Sequence, residues 1–220
     1  MLLTKYTHAC VRVEKDGTAL VLDPGNFSEV EEAVSGAAAV LITHEHADHF
    51  DRERISAAVR ADSLLEVYAP QGVAAQLREA LDDDGAAARV HSVEPERSYT
   101  IAGFTVQTFG GQHALIHPHI PVVRNIGYLI NGALYHPGDS FIVPHGVQVQ
   151  TLLVPVHAPW SKTAEVIDFV TSVRAERAHQ IHDALLNGTG LAMVEGHVSR
   201  LGKHYGTDFE HLDPGRSVEL

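Results

Sequence analysis

The sequence contains a single cysteine, Cys10, which excludes an intrachain disulfide and any zinc site built from several thiolates. It has no apolar run of bilayer length, and its start, Met1-Leu2-Leu3-Thr4-Lys5, lacks the apolar core of a secretory signal. Basic side chains are scarce: 16 Lys and Arg stand against 28 Asp and Glu, a formal net charge of −12. That balance argues against a broad surface for nucleic acid or other polyanions. It leaves room for a phosphate-bearing substrate, because bound divalent ions would reverse the charge of a site locally. No low-complexity linker divides the 220 residues, so residues 1–220 are read as one domain with a sizeable core. The expectation is a cytoplasmic protein whose partner is a small molecule, without membrane or nucleic acid. Nothing in the pattern bears on oligomeric state.

Histidine is abundant instead, with 16 copies, and three of them fall in one stretch, Val40-Leu41-Ile42-Thr43-His44-Glu45-His46-Ala47-Asp48-His49. The apolar run Ala37 to Ile42 reads as a short buried strand. Three imidazoles and an aspartate then follow within six residues. Such a run is a poor core, because every buried ring nitrogen or carboxylate oxygen needs a partner. It suits a metal. Residues two apart in an extended segment face the same side, so His44 and His46 can turn toward one ion. Asp48 and His49, where the chain turns into a helix, can face a neighbouring ion. Imidazole and carboxylate suit zinc, manganese and iron.

Around this stretch the chain alternates short strands and helices. Leu2 to Thr7 and Ala9 to Glu14 read as strands. Asp16-Gly17 closes a hairpin into Ala19 to Leu22, which ends at Asp23-Pro24-Gly25. Helices are predicted over Ser28 to Ser35, Asp51 to Ala61, Pro70 to about Leu81, Ser161 to about Val173 with Ser161 as cap, and Leu191 to Tyr205. Further strands are predicted at Leu64 to Tyr68, Val90 to Val93, Tyr99 to Ile101, Phe104 to Phe109, Asn125 to Ile130, Ala133 to His136, Val149 to Val156 and Ala178 to Ile181. The triplet Asp82-Asp83-Asp84 before Gly85 reads as a solvated helix end. By pattern alone this is an α/β or α+β domain with many short strands.

Thr43-His44-x-His46-x-Asp48-His49 resembles the signature of the metallo-β-lactamase superfamily of binuclear metallohydrolases. Five motifs occur in the family's order across almost the whole chain, and the nearest likeness is to a small branch that includes ascorbate-phosphate lactonase-like proteins. The resemblance implies a four-layer αβ/βα sandwich, two mixed β-sheets flanked by helices, with metals at one edge. It implies a first ion on His44, His46 and His113, the last after the turn Gly110-Gly111-Gln112. A second ion would sit on Asp48, His49 and His182, with Asp139 of His136-Pro137-Gly138-Asp139 bridging the two. His117 or His119 could replace His113, or line the substrate pocket. Asp23 is a candidate to brace a ligand from behind, or it simply starts a turn. His8 resembles a family position, although Thr7 stands where the family usually has Gly, and it is read as a possible pocket-wall residue. His136 is read as a neighbour and His179 as facing away. His157 and Trp160, where the sequence departs from the family's glycines, are substrate-pocket candidates by position.

The activity so implied is hydrolysis. A metal-bridging hydroxide, available because bound cations lower the pKa of water from about 16 toward 7, would cleave a small ester, lactone or related molecule. Asp48 would orient it or take its proton. Two divalent ions, zinc first with manganese or iron as alternatives, are the implied cofactors. The alternatives are a phosphodiesterase or nuclease, or a non-hydrolytic metal-binding protein, of the same fold.

Overall fold

A computed structural model describes residues 1–220. The first sheet begins with a meander, β1 (Leu2–Lys5), β2 (Val11–Lys15) and β3 (Thr18–Leu22). Asp16 and Gly17 both take positive φ in the β2–β3 turn, 51° and 78°, as the Asp-Gly hairpin chemistry requires. The sheet then grows by parallel crossovers: α1 (Val30–Val34), β4 (Ala39–Leu41), α2 (Arg52–Ala61), β5 (Glu66–Pro70), α3 (Gln71–Ala80), a short α4 (Asp84–Ala87) and β6 (Val90–Val93). Val40 and Leu41 of β4 are fully buried, which is why this strand reads as an unbroken apolar run.

The second half repeats the plan. The hairpin β7 (Ser98–Ile101) and β8 (Phe104–Gly110) leads through a long loop to β9 (Ile126–Ile130) and β10 (Leu134–His136). Next come β11 (Thr151–Pro155), α5 (Thr163–Val173), β12 (Arg177–Ile181), α6 (Gly188–Lys203), β13 (Asp208–Phe209) and β14 (Ser217–Glu219). Two seven-stranded mixed sheets result, ordered β14-β1-β2-β3-β4-β5-β6 and β13-β12-β11-β10-β9-β8-β7. The last strand thus returns to pair antiparallel with β1.

Three apolar clusters define four layers. The central one joins the inner faces of both sheets, with Leu20, Leu22 and Leu41 of the first against Ile126, Tyr128 and Leu153 of the second. A second lies under α1, α2 and α3, around Val30, Ile55, Val73 and Leu77. The third lies under α5 and α6, around Val166, Phe169, Val170 and Val198. This is the expected two-sheet sandwich flanked by helices. No helix is long and apolar enough to cross a membrane.

Local boundaries moved for identifiable reasons. Asp51 caps α2 by accepting from the Arg54 amide at 3.0 Å, while Ser161 does not cap α5. Its hydroxyl is engaged with Ala158, accepting from that amide at 3.0 Å, and α5 starts two residues later, with Glu165 accepting from the Lys162 amide at 2.9 Å. Asn187, which accepts from the Gly190 amide at 2.9 Å, starts α6 earlier than its apolar periodicity indicates. Asp83 of the acidic triplet caps α4 at 3.0 Å.

Candidate metal centre

The strand directions place all candidate ligands at one edge. β1, β3 and β4 run the same way, as do β8, β10, β11 and β12, because each antiparallel neighbour reverses the direction twice. His8 follows β1, Asp23 ends β3, and His44 to His49 follow β4. His113, Asp139 and His182 follow β8, β10 and β12. The site therefore forms from chain segments leaving the carboxyl ends of strands in both sheets.

Two groups converge there. His44, His46, His113 and Asp139 form one, and His8, Asp48, His49 and His182 the other; within each, one nitrogen or oxygen per residue lies within 4.8 Å of the rest. The structure thus brings together all seven residues read as ligands and adds an eighth, His8. Asp139 spans the groups: its Oδ1 is 3.0 Å from His49 Nε2, and its Oδ2 is 3.3 Å from both His113 Nε2 and His182 Nε2. Asp48 Oδ2 lies 3.2 Å from His8 Nε2 and 3.5 Å from His182 Nε2.

The unpaired atoms show what such a cluster fits. Nε2 of His49, His113 and His182 and Oδ1 of Asp139 are buried with no hydrogen-bond partner. Buried polar atoms left so are rare and costly. His49 Nε2 and Asp139 Oδ1 are near neighbours yet misaligned for a hydrogen bond, as expected of donors aimed at a common third atom. Nitrogen and carboxylate oxygen in sets of four fit divalent cations.

The other face of each ring is held. His49 Nδ1 donates to Asp23 Oδ2 at 2.7 Å, His113 Nδ1 to the Ala114 carbonyl at 2.5 Å and His182 Nδ1 to the His157 carbonyl at 2.6 Å. Bonding Nδ1 this way leaves the Nε2 lone pair directed to the site. Asp23 also accepts from the Thr43 amide at 2.7 Å and its hydroxyl at 2.6 Å, so one carboxylate braces both the signature backbone and a signature ring. His44 Nδ1 meets the same Thr43 hydroxyl at 2.9 Å.

Backbone geometry is unusual here too. His8, Asp23 and His182 all adopt left-handed φ, at 66°, 48° and 59°, a conformation that costs a non-glycine residue about 1–3 kcal/mol and clusters at functional sites. The His182 amide donates to the His8 carbonyl at 3.2 Å, tying two of these residues together. Gly25 lies against the signature loop so closely that a Cβ would sit 1.9 Å from the Asp48 carbonyl oxygen. Gly138, at φ 61°, is packed on Asn125 and Thr43, and Asn125 Oδ1 accepts the Asp139 amide at 2.9 Å.

Charge follows from this packing. Burial opposes protonation of His49 and His182, but Asp139 reverses that in both, aided by Asp23 at His49 and by Asp48 at His182. His49 ends well above the ordinary histidine range and His182 at about 9. Burial, reinforced by the charge of His49, holds His44 well below it. Burial would raise Asp48 and Asp139, but the surrounding imidazoles outweigh it and both lie far below the usual carboxylate range.

An open cleft of about 810 Å³ leads to the cluster, walled by His113, Leu115, Ile116, Phe141, Ile142 and Trp160. Trp160 lines this cleft, and its indole N–H also donates to Asp139 Oδ2 at 2.8 Å. His157 and His119 do not line this cleft. His157 acts through its carbonyl on His182, and His119 is exposed in the loop after β8, its amide donating to His117 Nδ1 at 3.1 Å. His136 is buried behind the site, with Nε2 2.9 Å from the Ala9 carbonyl and Nδ1 accepting from the Gly138 amide at 3.1 Å. His179 points away, to the Glu210 carbonyl at 2.8 Å. The sequence offers no sign of Asn125, and for His8 it offers only a place between two strands and a partial resemblance to a family position, which points to the pocket wall and not to the ligand group.

A double His/Asp cluster at the strand ends of a two-sheet sandwich defines a class, and residues 2–182 match the Beta-lactamase superfamily domain; the chain belongs to that family. Among its relatives, Protein Rv0786c of Mycobacterium tuberculosis is 38% identical, over 99% of each chain. Igni18 and CmlA are among the solved structures that share the fold. Igni18, a metallo hydrolase from Ignicoccus hospitalis, aligns at TM-score 0.73 and 16% identity, covering 99% of this chain and 97% of its own. CmlA, a diiron β-hydroxylase from Streptomyces venezuelae, aligns at 0.71 and 16%, covering 100% of this chain and 54% of its own.

Proposed function

We propose that this protein is a binuclear metal-dependent hydrolase acting on a small, uncharged ester, lactone or related substrate. The observation that supports the reading best is Asp139, which belongs to one four-residue group and reaches His49 and His182 of the other, while its own Oδ1 and the Nε2 atoms of His49, His113 and His182 have no hydrogen-bond partner in the protein. His44, His46 and His113 would hold one ion, His8, Asp48, His49 and His182 the other, with Asp139 between. Divalent ions there, zinc foremost, supply Lewis acidity toward a substrate oxygen and a source of hydroxide near neutral pH.

The chain's own groups divide the remaining work. Asp48 is the more exposed of the two site carboxylates, 24% against 4% for Asp139. As the more accessible carboxylate beside the proposed ions, it would accept a hydrogen bond and orient a nucleophile. Leu115, Ile116, Phe141 and Ile142 present an apolar surface to the substrate. The cleft's cation, Lys162, is paired with Glu165 at 3.7 Å, which favours an uncharged substrate over a phosphodiester. The arginines a polyanion would need are engaged elsewhere. Arg54 pairs with Glu31 and Asp51, and Arg60 and Arg78 donate to the Ala80 and Val90 carbonyls.

The test is elemental analysis of the purified protein, followed by assays with aryl esters, lactones and bis(p-nitrophenyl) phosphate using the metal found. Near two ions per chain with ester or lactone turnover supports the reading. Preferential phosphodiester cleavage would move the assignment to the phosphodiesterase alternative, and no uptake of zinc, manganese or iron would sink it.

A further inference from the structure

We propose that Trp160 is a positioning residue for Asp139, so that the wall of the substrate cleft also sets the geometry of the carboxylate shared by the two ions. This rests on the metallohydrolase reading above. The indole N–H donates to Asp139 Oδ2 at 2.8 Å, a charge-assisted bond to a carboxylate that is almost wholly buried. It is also the only hydrogen bond made to either oxygen of that side chain. The nearby Nε2 atoms of His49, His113 and His182 become lone-pair donors when they ligate an ion. They then cannot also donate to Asp139, which leaves Trp160 as the one side-chain hydrogen-bond donor to that carboxylate.

The chemistry of the donor suits this role. Indole offers one hydrogen and no acceptor, so it takes one lone pair of Oδ2, leaves the other, and cannot itself compete for the metal. Its ring is anchored from behind. Phe141 meets it edge-on with centroids 4.9 Å apart, and Phe141 packs at 5.3 Å on Phe169 of α5. The turn carrying it is closed by the Ser161 amide donating to the Ala158 carbonyl at 3.1 Å. The indole lies 6.0 Å from the His113 ring and 6.5 Å from that of His182, between centroids, and walls the cleft beside His113. A substrate seated against it presses on the group that orients Asp139.

Trp160 is the only tryptophan in the chain, so its emission reports this bond without labelling. Metal-free protein titrated with zinc should show a saturable change in tryptophan emission that tracks zinc uptake, because the charge on its hydrogen-bond acceptor is being neutralised. In Trp160→Phe, which keeps an aromatic ring and loses the N–H, competition with a chelator should show zinc affinity reduced about tenfold. Zinc uptake by the wild type with unchanged emission would overturn the proposal, and so would a folded Trp160→Phe that holds both ions within about twofold of wild type. If the variant does not fold, the wild-type emission titration decides. Failure of the wild type to bind zinc, manganese or iron is a separate result: it removes the metallohydrolase reading and this proposal with it.

Discussion

His49 Nδ1 and Asp23 Oδ2 lie 2.7 Å apart, both side chains fully buried, across the gap between the end of β3 and the turn after β4. The bond determines which nitrogen of His49 faces the site. Replacing Asp23 with Ala removes that orientation along with the two bonds to Thr43. Zinc affinity should fall about 10–100-fold, measured by chelator competition. An affinity within twofold of wild type would show that the signature loop holds its shape unaided.

On the proposed binuclear reading, His8 completes the group of four at one ion position. In His8→Ala that group keeps Asp48, His49 and His182 while the other is untouched. After dialysis against dilute chelator, elemental analysis should find close to one ion per chain where the wild type retains two. Retention of two ions would return His8 to the pocket wall.

The metal-free protein should lose stability as pH rises from about 6.5 to about 9. His182 is raised from its ordinary 6.5 to about 9 in the fold. A raised pKa contributes stability that is complete below the unfolded value and gone above the folded one. Asp48 and Asp139 are shifted down, so their contribution is present above the usual carboxylate range near 4 and fades on acidification. Thermal unfolding of metal-free protein should give a Tm at pH 9.5 below that at pH 6, with the slope reduced in His182→Gln. Metal binding displaces the same proton, so zinc affinity should climb over that interval. A flat Tm from pH 6 to 9.5 would contradict the assignment.

Gly25→Ala tests the packing beneath the metal loop. The new methyl would meet backbone, the Asp48 carbonyl and the His49 amide, at 1.9 and 2.5 Å, so no side chain can swing aside. Overpacking of this kind costs about 3 kcal/mol. For a chain of this size that corresponds to a Tm lowered by roughly 6–12 °C. A Tm within 2 °C of wild type would mean that the loop can retreat.

Much of this candidate site is legible in the sequence because its candidate ligands are dense in polar atoms where local structure wants apolar ones. His44 to His49 interrupt a buried strand end, and Asp139 sits in a Pro-Gly turn closing another. What stayed hidden depends on side chains far apart in sequence. His8 carries little local signature, a place between two strands and a family position that Thr7 breaks; it joins the site where the left-handed turn at φ 66° brings it to Asp48, forty residues away. Asn125 lies at a strand edge like any loop residue, and only the closed sandwich brings it to the Asp139 amide. Position alone points to the His157 side chain, whereas the fold uses its carbonyl, which no side-chain pattern encodes. The starts of α5 and α6 shifted because capping depends on which hydroxyl or amide is free, and Ser161 is occupied by Ala158.

Each four-residue group draws on both halves of the sandwich: His8, Asp48 and His49 from the first sheet with His182 from the second, and His44 and His46 from the first with His113 and Asp139 from the second. Bound ions would therefore act as rivets between two sheets that otherwise meet there mainly through apolar contact and a few bonds such as Tyr128 to the Ile42 carbonyl. Chelation should loosen that rim first, making the exposed segment from Leu115 to Val122 a faster target for limited proteolysis. On that reasoning, metal supply would govern how long the folded chain survives as well as whether it turns over substrate.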